Sequence, residues 1–407
     1  MTFALSRRHL LQGSLITAGS GLLTACGGGT SPQSPNRPNT NRPQTMTPST
    51  QRPQIQAQPA RVVAQGNANT MRIFASSGFC EDPSRIQTGL NRLSSAGFVI
   101  SNHHAAYRRF QRFAGSDAER IADLQEVADG RVHTPKVLMG ARGGYGAARL
   151  LPHINWGNLG ARMREQGTLL FGFSDVTAIQ MALLAQSGVP SFAGPMLYSE
   201  FAKPVADTYT MDSFIRTTTS SQLTVAVSSF QIQRPRAVEG MLWGGNLSVV
   251  ASLVGSPYMP RVQGGILFLE DVSEQPYRIE RMLQTLHLAG ILRQQQAIVL
   301  GDFRMGNIRD SYDSSYDLNM VAQTMSRVAN IPVFTGFPFG HITNKTSFPL
   351  GARAKIQPDN MGGYTVTFSD YPVLNAAALN LNALLPPPTY DFGTGFFGSG
   401  ESSDSEF

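Results

Sequence analysis

Ser174 is the side chain in this sequence best placed to do chemistry. It lies in Leu169-Leu170-Phe171-Gly172-Phe173-Ser174-Asp175-Val176-Thr177-Ala178, an apolar run that breaks at Gly172 and resumes with helical character through Leu184. The pattern predicts a strand, a tight turn and a helix. That arrangement lifts a hydroxyl to the strand's carboxyl end and aims the helix's N–H groups at whatever the hydroxyl attacks. A serine so held is a nucleophile if a base reaches it. The chain has seven histidines. His9 is near the N-terminus, His103 and His104 follow a predicted strand, His133 is in a polar loop, His153 is at a helix boundary and His287 is on a predicted helix. His341 stands apart, after Gly336-Phe337-Pro338-Phe339-Gly340 and before Thr343-Asn344-Lys345-Thr346. Glycine and proline there imply a fixed, irregular loop after a strand at Val333-Phe334, and such loops position chemistry. Spacing alone leaves His341 open between a base and a structural histidine.

A serine–histidine pair needs a carboxylate that holds the imidazole in the right tautomer. Glu270 ends the apolar strand Gly265-Ile266-Leu267-Phe268-Leu269, where an acid must find a partner. Glu274 is the alternative, although it can instead pair with Arg278 at i,i+4. Asp271 can cap the following turn. A second constellation is Gly140-Ala141-Arg142-Gly143-Gly144-Tyr145-Gly146. Glycine lets backbone approach a substrate closely, so an N–H of Gly143 or Gly144, together with the backbone N–H of Asp175, can form an oxyanion hole. The same glycines can equally serve a tight turn.

The elements that position these groups alternate. Strands are predicted at 71–76, 98–101 and 136–139, and helices at 83–96 and 117–128, the second with Ser116 and Glu119 spaced as a capping box. Strand–helix alternation predicts an α/β fold with a parallel sheet covered on both faces, and ligands of such sheets collect at the strands' carboxyl ends. Arg142 and Ser174 both fall there, so they are expected to share a cleft. The second half has a glycine-broken segment, Val238–Leu247, that enters a helix. Strands follow at 265–270 and 297–301, a helix at 275–288 and a strand at 364–368, which predicts a mixed, β-rich α/β domain. The expected organisation is an N-terminal α/β domain over 70–235 and a C-terminal domain over 236–390.

Five blocks in this order resemble the LD-carboxypeptidase family of serine peptidases. They are Arg142-Gly143-Gly144-Tyr145-Gly146 with Arg149-Leu150-Leu151-Pro152; Gly172-Phe173-Ser174-Asp175-Val176-Thr177; Glu239-Gly240 with Gly244-Gly245-Asn246-Leu247; Phe268-Leu269-Glu270-Asp271 with Glu274 and Pro276-Tyr277-Arg278; and Gly340-His341 with Pro349-Leu350-Gly351. The likeness spans about residues 71–385. It implies a Ser174–His341–Glu270 triad, no cofactor, a homodimer, and removal of the terminal D-alanine from a murein tetrapeptide, whose free carboxylate makes Arg142 a candidate fork, unless that side chain forms a structural ion pair beneath its loop. Ala193 departs from the histidine that precedes Gly-Pro in many members. Two other readings stand beside this one: an immunity-type hydrolase of a peptide-nucleotide antibiotic, and a non-catalytic peptidoglycan-binding lipoprotein.

The ends of the chain address its location. Ser6-Arg7-Arg8-His9-Leu10-Leu11 resembles a twin-arginine export signal. The apolar stretch from Leu10 to Ala25 is shorter than the roughly 20 residues of a spanning helix. It ends in Leu23-Thr24-Ala25-Cys26, similar to a lipobox, so residues 1–26 are expected to be a lipoprotein signal with Cys26 acylated. Gly27 is not the aspartate associated with inner-membrane retention, which favours a periplasmic, outer-membrane-anchored product. Residues 27–69 are rich in Pro, Gln, Asn, Thr and Ser and are expected to be a tether; 391–407 is expected to be a disordered tail. With Cys26 committed to lipid, Cys80 has no disulfide partner and reads as a small core residue. The net charge of +6 is scattered, with no block suited to nucleic acid. No Cys/His spacing of zinc type occurs.

Overall fold

The computed structural model describes residues 69–228 and 232–387. The expected export signal, Cys26, nearly all of the tether and the C-terminal tail lie outside these residues. The described chain is a mixed α/β structure with two sheets. The first has six strands, in the spatial order Phe348–Leu350, Ser191–Ala193, Leu169–Gly172, Val137–Gly140, Thr70–Phe74, Val99–Ser101. Its first five strands in chain order are parallel, and only Phe348–Leu350 runs against its neighbour. The two central strands Val137–Gly140 and Leu169–Gly172 are buried at every position. This is why they read as unbroken apolar runs and not as alternating ones. Strand order reverses between Thr70–Phe74 and Val137–Gly140, which opens a crevice at their carboxyl ends.

The second sheet has eight strands, in the order Leu223–Val227, Tyr364–Ser369, Ala352–Pro358, Val238–Asn246, Gly265–Glu270, Gln295–Leu300, Val333–Phe334, Ile232–Gln233. The four strands from Val238–Asn246 to Val333–Phe334 are parallel; the remainder pair antiparallel. The sheets exchange strands along the chain. Leu223–Val227 and Ile232–Gln233 precede Pro235 yet join the second sheet, while Phe348–Leu350 comes late yet joins the first. Ser174 therefore follows a parallel strand of one sheet, while Glu270 ends a parallel strand of the other and the His341 loop follows the next but one, Val333–Phe334.

Local chemistry explains most element starts. Asp82 accepts from the backbone N–H groups of Ser84 and Arg85, and Pro83 opens the helix Pro83–Ser95. Ser116 and Glu119 form the full reciprocal capping box of helix Asp117–Ala128. Helix Thr177–Ser187 is different: positions 177 to 184 are all buried. A helix apolar all round must be enclosed. This one packs against helix Trp156–Gln166, the Val238–Asn246 strand and its following helix, Leu247–Ser252, and its Gln180 Nε2 donates to the Gly172 and Phe192 carbonyls of the first sheet. The nucleophile candidate thus heads an element embedded in both halves of the molecule. Cys80 is buried. Among the described residues, no helix is long and apolar enough to cross a membrane.

Candidate active site

Ser174 follows the Leu169–Gly172 strand and begins a short 3₁₀ turn, Ser174–Val176, that runs into helix Thr177–Ser187. Its φ is +59°, a conformation that costs a non-glycine residue of order 1–3 kcal/mol and persists only when its surroundings impose it. The surroundings do so. A Cβ at Gly172 would stand 2.5 Å from the Val176 side chain, so only glycine lets the turn close. Asp175 is buried: its Oδ2 accepts from Ser77 Oγ at 2.6 Å and from the Ala147 backbone N–H at 2.8 Å. Burial raises its pKa against the lowering effect of these bonds. The carboxylate ties the turn to the end of the first strand and to the glycine loop. That loop lies directly against the serine: a Cβ on Gly143 would fall 2.9 Å from both Cβ and Oγ of Ser174.

His341 Nδ1 lies 2.8 Å from Glu270 Oε2, with both side chains almost wholly buried. An ionised carboxylate only accepts, so it holds the proton on Nδ1 and leaves the lone pair on Nε2. Glu270 ends its strand, as expected. Its other oxygen, Oε1, accepts from Asn246 Nδ2 at 3.3 Å. The same amide lies 3.2 Å from Asp271 Oδ1, so one donor bridges two adjacent carboxylates. Asp271 Oδ2 accepts from the backbone N–H and Oγ of Ser248, at 2.8 and 2.7 Å. Burial, and then the charge of Glu270, push the Asp271 pKa up. Glu274 is not the imidazole's partner; it faces Arg278 at 3.7 Å, the i,i+4 pairing that its spacing allowed.

Ser174, His341, Gly143, Gly144, Arg142 and Asp175 all line one cavity of about 510 Å³ between the carboxyl ends of the two sheets' parallel strands. Phe173 cements the junction: its ring lies 5.2 Å from that of His341 and 5.7 Å from that of Phe339, both edge-on. Asn246 and Thr177 join the halves again, through Asn246 N–H to Thr177 Oγ1 at 3.1 Å. Arg142 is partly engaged, with Nη1 donating to the Phe79 carbonyl at 2.8 Å and lying 3.6 Å from Glu81. Ala193 is buried in its strand. Among the described residues, no group of three or more His, Cys, Asp or Glu is arranged to hold a metal.

Sequence reasoning did not find Asn246 or the buried pair Lys345–Glu200. For Asn246 a local signal existed, since it is the N-cap of helix Leu247–Ser252. For the ion pair there was none. Lys345 Nζ lies 2.5 Å from Glu200 Oε1 and 5.0 Å from the centre of the Phe173 ring. Glu200 Oε2 also accepts from the Met196 backbone and from Ser199 Oγ, both at 2.8 Å. Burial alone would raise the Glu200 pKa, but the Lys345 charge and these bonds outweigh it and hold the carboxyl below its usual range. The pair pins the His341 loop to the cleft floor. Lys345→Met strands a buried carboxylate and is expected to cost about 3–5 kcal/mol, with most of this recovered in Glu200→Gln/Lys345→Met. The depressed Glu200 pKa stabilises the fold above the unfolded value of about 4.3, and that stability is lost as pH falls through the folded value. Urea unfolding between pH 7 and 3 checks both points: the double variant should lose less stability over that interval than the wild type.

The profile of the LD-carboxypeptidase N-terminal domain matches residues 71–194, and that of the C-terminal domain matches residues 239–356. A probable murein peptide carboxypeptidase of Bacillus subtilis is 30% identical over 275 residues, covering 67% of this chain and 84% of that protein. The crystal structure of muramoyltetrapeptide carboxypeptidase from Oxalobacter formigenes superposes with a TM-score of 0.67 at 38% identity, covering 75% of this chain and all of that one. The microcin C7 self-immunity protein of Escherichia coli is 27% identical over 341 residues, covering 75% of this chain and 95% of that protein. Fold and relatives together define a two-sheet α/β peptidase of the carboxypeptidase class. Within that class, the chain belongs to the LD-carboxypeptidase family.

Proposed function

We propose that this protein is a serine-type LD-carboxypeptidase that hydrolyses the bond between the diamino acid and the terminal D-alanine of murein tetrapeptides. The observation that carries the reading is the buried Glu270–His341 pair opening onto the same cleft as the strained Ser174. His341 Nε2 takes the Ser174 proton as the hydroxyl oxygen attacks the scissile carbonyl. Glu270 stabilises the imidazolium that forms. The oxyanion is received by backbone N–H groups of Asp175 and of Gly143 or Gly144. The imidazolium then protonates the departing amine of D-alanine, and water repeats the sequence on the acyl-enzyme. The export signal and Cys26 would hold the enzyme at the cell envelope, next to its polymer. A relative that confers self-immunity to a microcin raises a peptide-nucleotide substrate as the competing outcome.

The test is D-alanine release from purified murein tetrapeptide, run beside a peptide-nucleotide substrate. Tripeptide and D-alanine as products support the proposal. Turnover of the nucleotide conjugate alone, or of neither, overturns it. Gly143→Ala gives an internal check. Its new methyl would land on the Ser174 side chain, which must shift or push the loop away. Displacing one oxyanion donor costs about 10²–10³ in kcat. We expect a loss of that size with an unchanged circular dichroism spectrum and melting temperature within a few degrees.

A further inference from the structure

The proposed reaction requires a site for a free carboxylate, and two arginines, Arg112 and Arg142, line the cleft. They are not equivalent. Arg142 is largely buried; its guanidinium is committed to the Phe79 carbonyl and faces Glu81. Arg112 is exposed and, among the described residues, has no carboxylate within ion-pair distance. Both guanidinium groups lie over a tyrosine ring, Arg142 5.6 Å from the centre of Tyr198 and Arg112 5.5 Å from that of Tyr145, so the difference is that Arg112 is held by this contact without using its N–H groups.

The base of Arg112 is rigid. Phe110 and Phe113 exchange both backbone hydrogen bonds at 2.9 Å, with Gln111 in the left-handed region, so residues 110–113 form a closed turn. The Arg112 carbonyl accepts from Phe79 N–H at 3.4 Å, and Gly78 N–H donates to the Gly143 carbonyl at 3.0 Å. A continuous backbone path thus runs from Arg112 through Phe79 and Gly78 to Gly143, which touches Ser174. The guanidinium is also near enough for its charge to act on buried Asp175. In a substrate whose last residue is removed, only an amide nitrogen and one α-carbon separate the scissile carbonyl from the terminal carboxylate. A cation next to the nucleophile's own glycine loop meets that constraint, and an arginine fork matches a carboxylate with two parallel hydrogen bonds.

We propose that Arg112, steadied by Tyr145, is the specificity-determining residue that binds the substrate's free terminal carboxylate, while Arg142 braces the loop. The proposal rests on the carboxypeptidase reading. It is tested by comparing the tetrapeptide with its C-terminal amide in wild type, Arg112→Met, Arg112→Lys and Arg142→Met. Binding of both peptides is also measured by calorimetry in a Ser174→Ala background, where no turnover is needed. Arg112→Met should lower kcat/KM for the free acid by about 10- to 100-fold, in line with loss of a charged hydrogen-bonded pair. It should also abolish the preference for acid over amide in both assays. Arg112→Lys should restore part of that preference. An Arg112→Met enzyme that still prefers the acid as wild type does, or a preference that vanishes in Arg142→Met instead, overturns the proposal. If wild type releases no D-alanine, the carboxypeptidase reading fails separately. The calorimetric preference still decides the role of Arg112 in that case.

Discussion

Ser174→Ala is expected to remove hydrolysis almost completely, by about 10⁶-fold in kcat, and to leave substrate binding and the fold intact. Ser174 holds a φ of +59° because Gly172 lets the turn close over Val176 and because Asp175 is anchored by Ser77 and Ala147. None of these restraints uses the hydroxyl, so alanine takes the same conformation. Alanine is no better suited to the left-handed region than serine, and the strain is unchanged. The variant therefore isolates the oxygen. A fluorophosphonate serine probe should label the wild type and not Ser174→Ala, and tetrapeptide should still bind the variant. Undiminished turnover in a correctly folded Ser174→Ala protein would remove the serine from the mechanism. Some acceleration over water is expected to survive, since oxyanion donors and binding act without the nucleophile.

Glu270→Gln should be the next most damaging change, at about 10⁴-fold, and its direction follows from the neighbours of the carboxylate. In the wild type both oxygens accept: one from His341 Nδ1, the other from Asn246 Nδ2. Glutamine has one oxygen and one NH₂. Asn246 offers only N–H on that side, so the new amide must turn its oxygen to Asn246 and its NH₂ to the imidazole. His341 Nδ1 then becomes an acceptor, the ring proton moves to Nε2, and the imidazole can no longer take a proton from Ser174. Stability should barely fall, because the shape is kept and the charge that crowds buried Asp271 is removed. Measured together, a kcat collapse with KM and melting temperature near wild type identify the tautomer as the cause. A large loss of stability would point to a structural carboxylate.

Much of this site could be seen in one dimension, for a specific reason. Ser174, the glycine loop at Gly143–Gly144 and Glu270 each lie where a strand ends, and strand ends are marked locally by an apolar run that stops at a glycine or an acid. The capping box at Ser116 and Glu119 was equally local. His341 carried a weaker signal, a Gly-Pro loop that spacing alone could not tell from a structural one; only the resemblance of the five ordered blocks pointed to it as the base. The exchange of strands between the two sheets left no trace. Leu223–Val227 and Phe348–Leu350 are short, and a run of three to five residues does not encode which sheet it will join.

The line between the two kinds of information follows the range of the interaction. Residue type and spacing were enough to name the chemical groups, because a nucleophile turn, a strand-terminal acid and a glycine loop are built from neighbours in the chain. The sequence placed Glu270 ahead of Glu274, four residues further on, and folding shows why: the strand end aims Glu270 at the imidazole, while the loop after it leaves Glu274 facing Arg278. Folding also decided which arginine stands clear of the protein's own carboxylates, and that Lys345 would find Glu200 across 145 positions of sequence. A buried charge must be paired, but the chain records the need without the address of the partner.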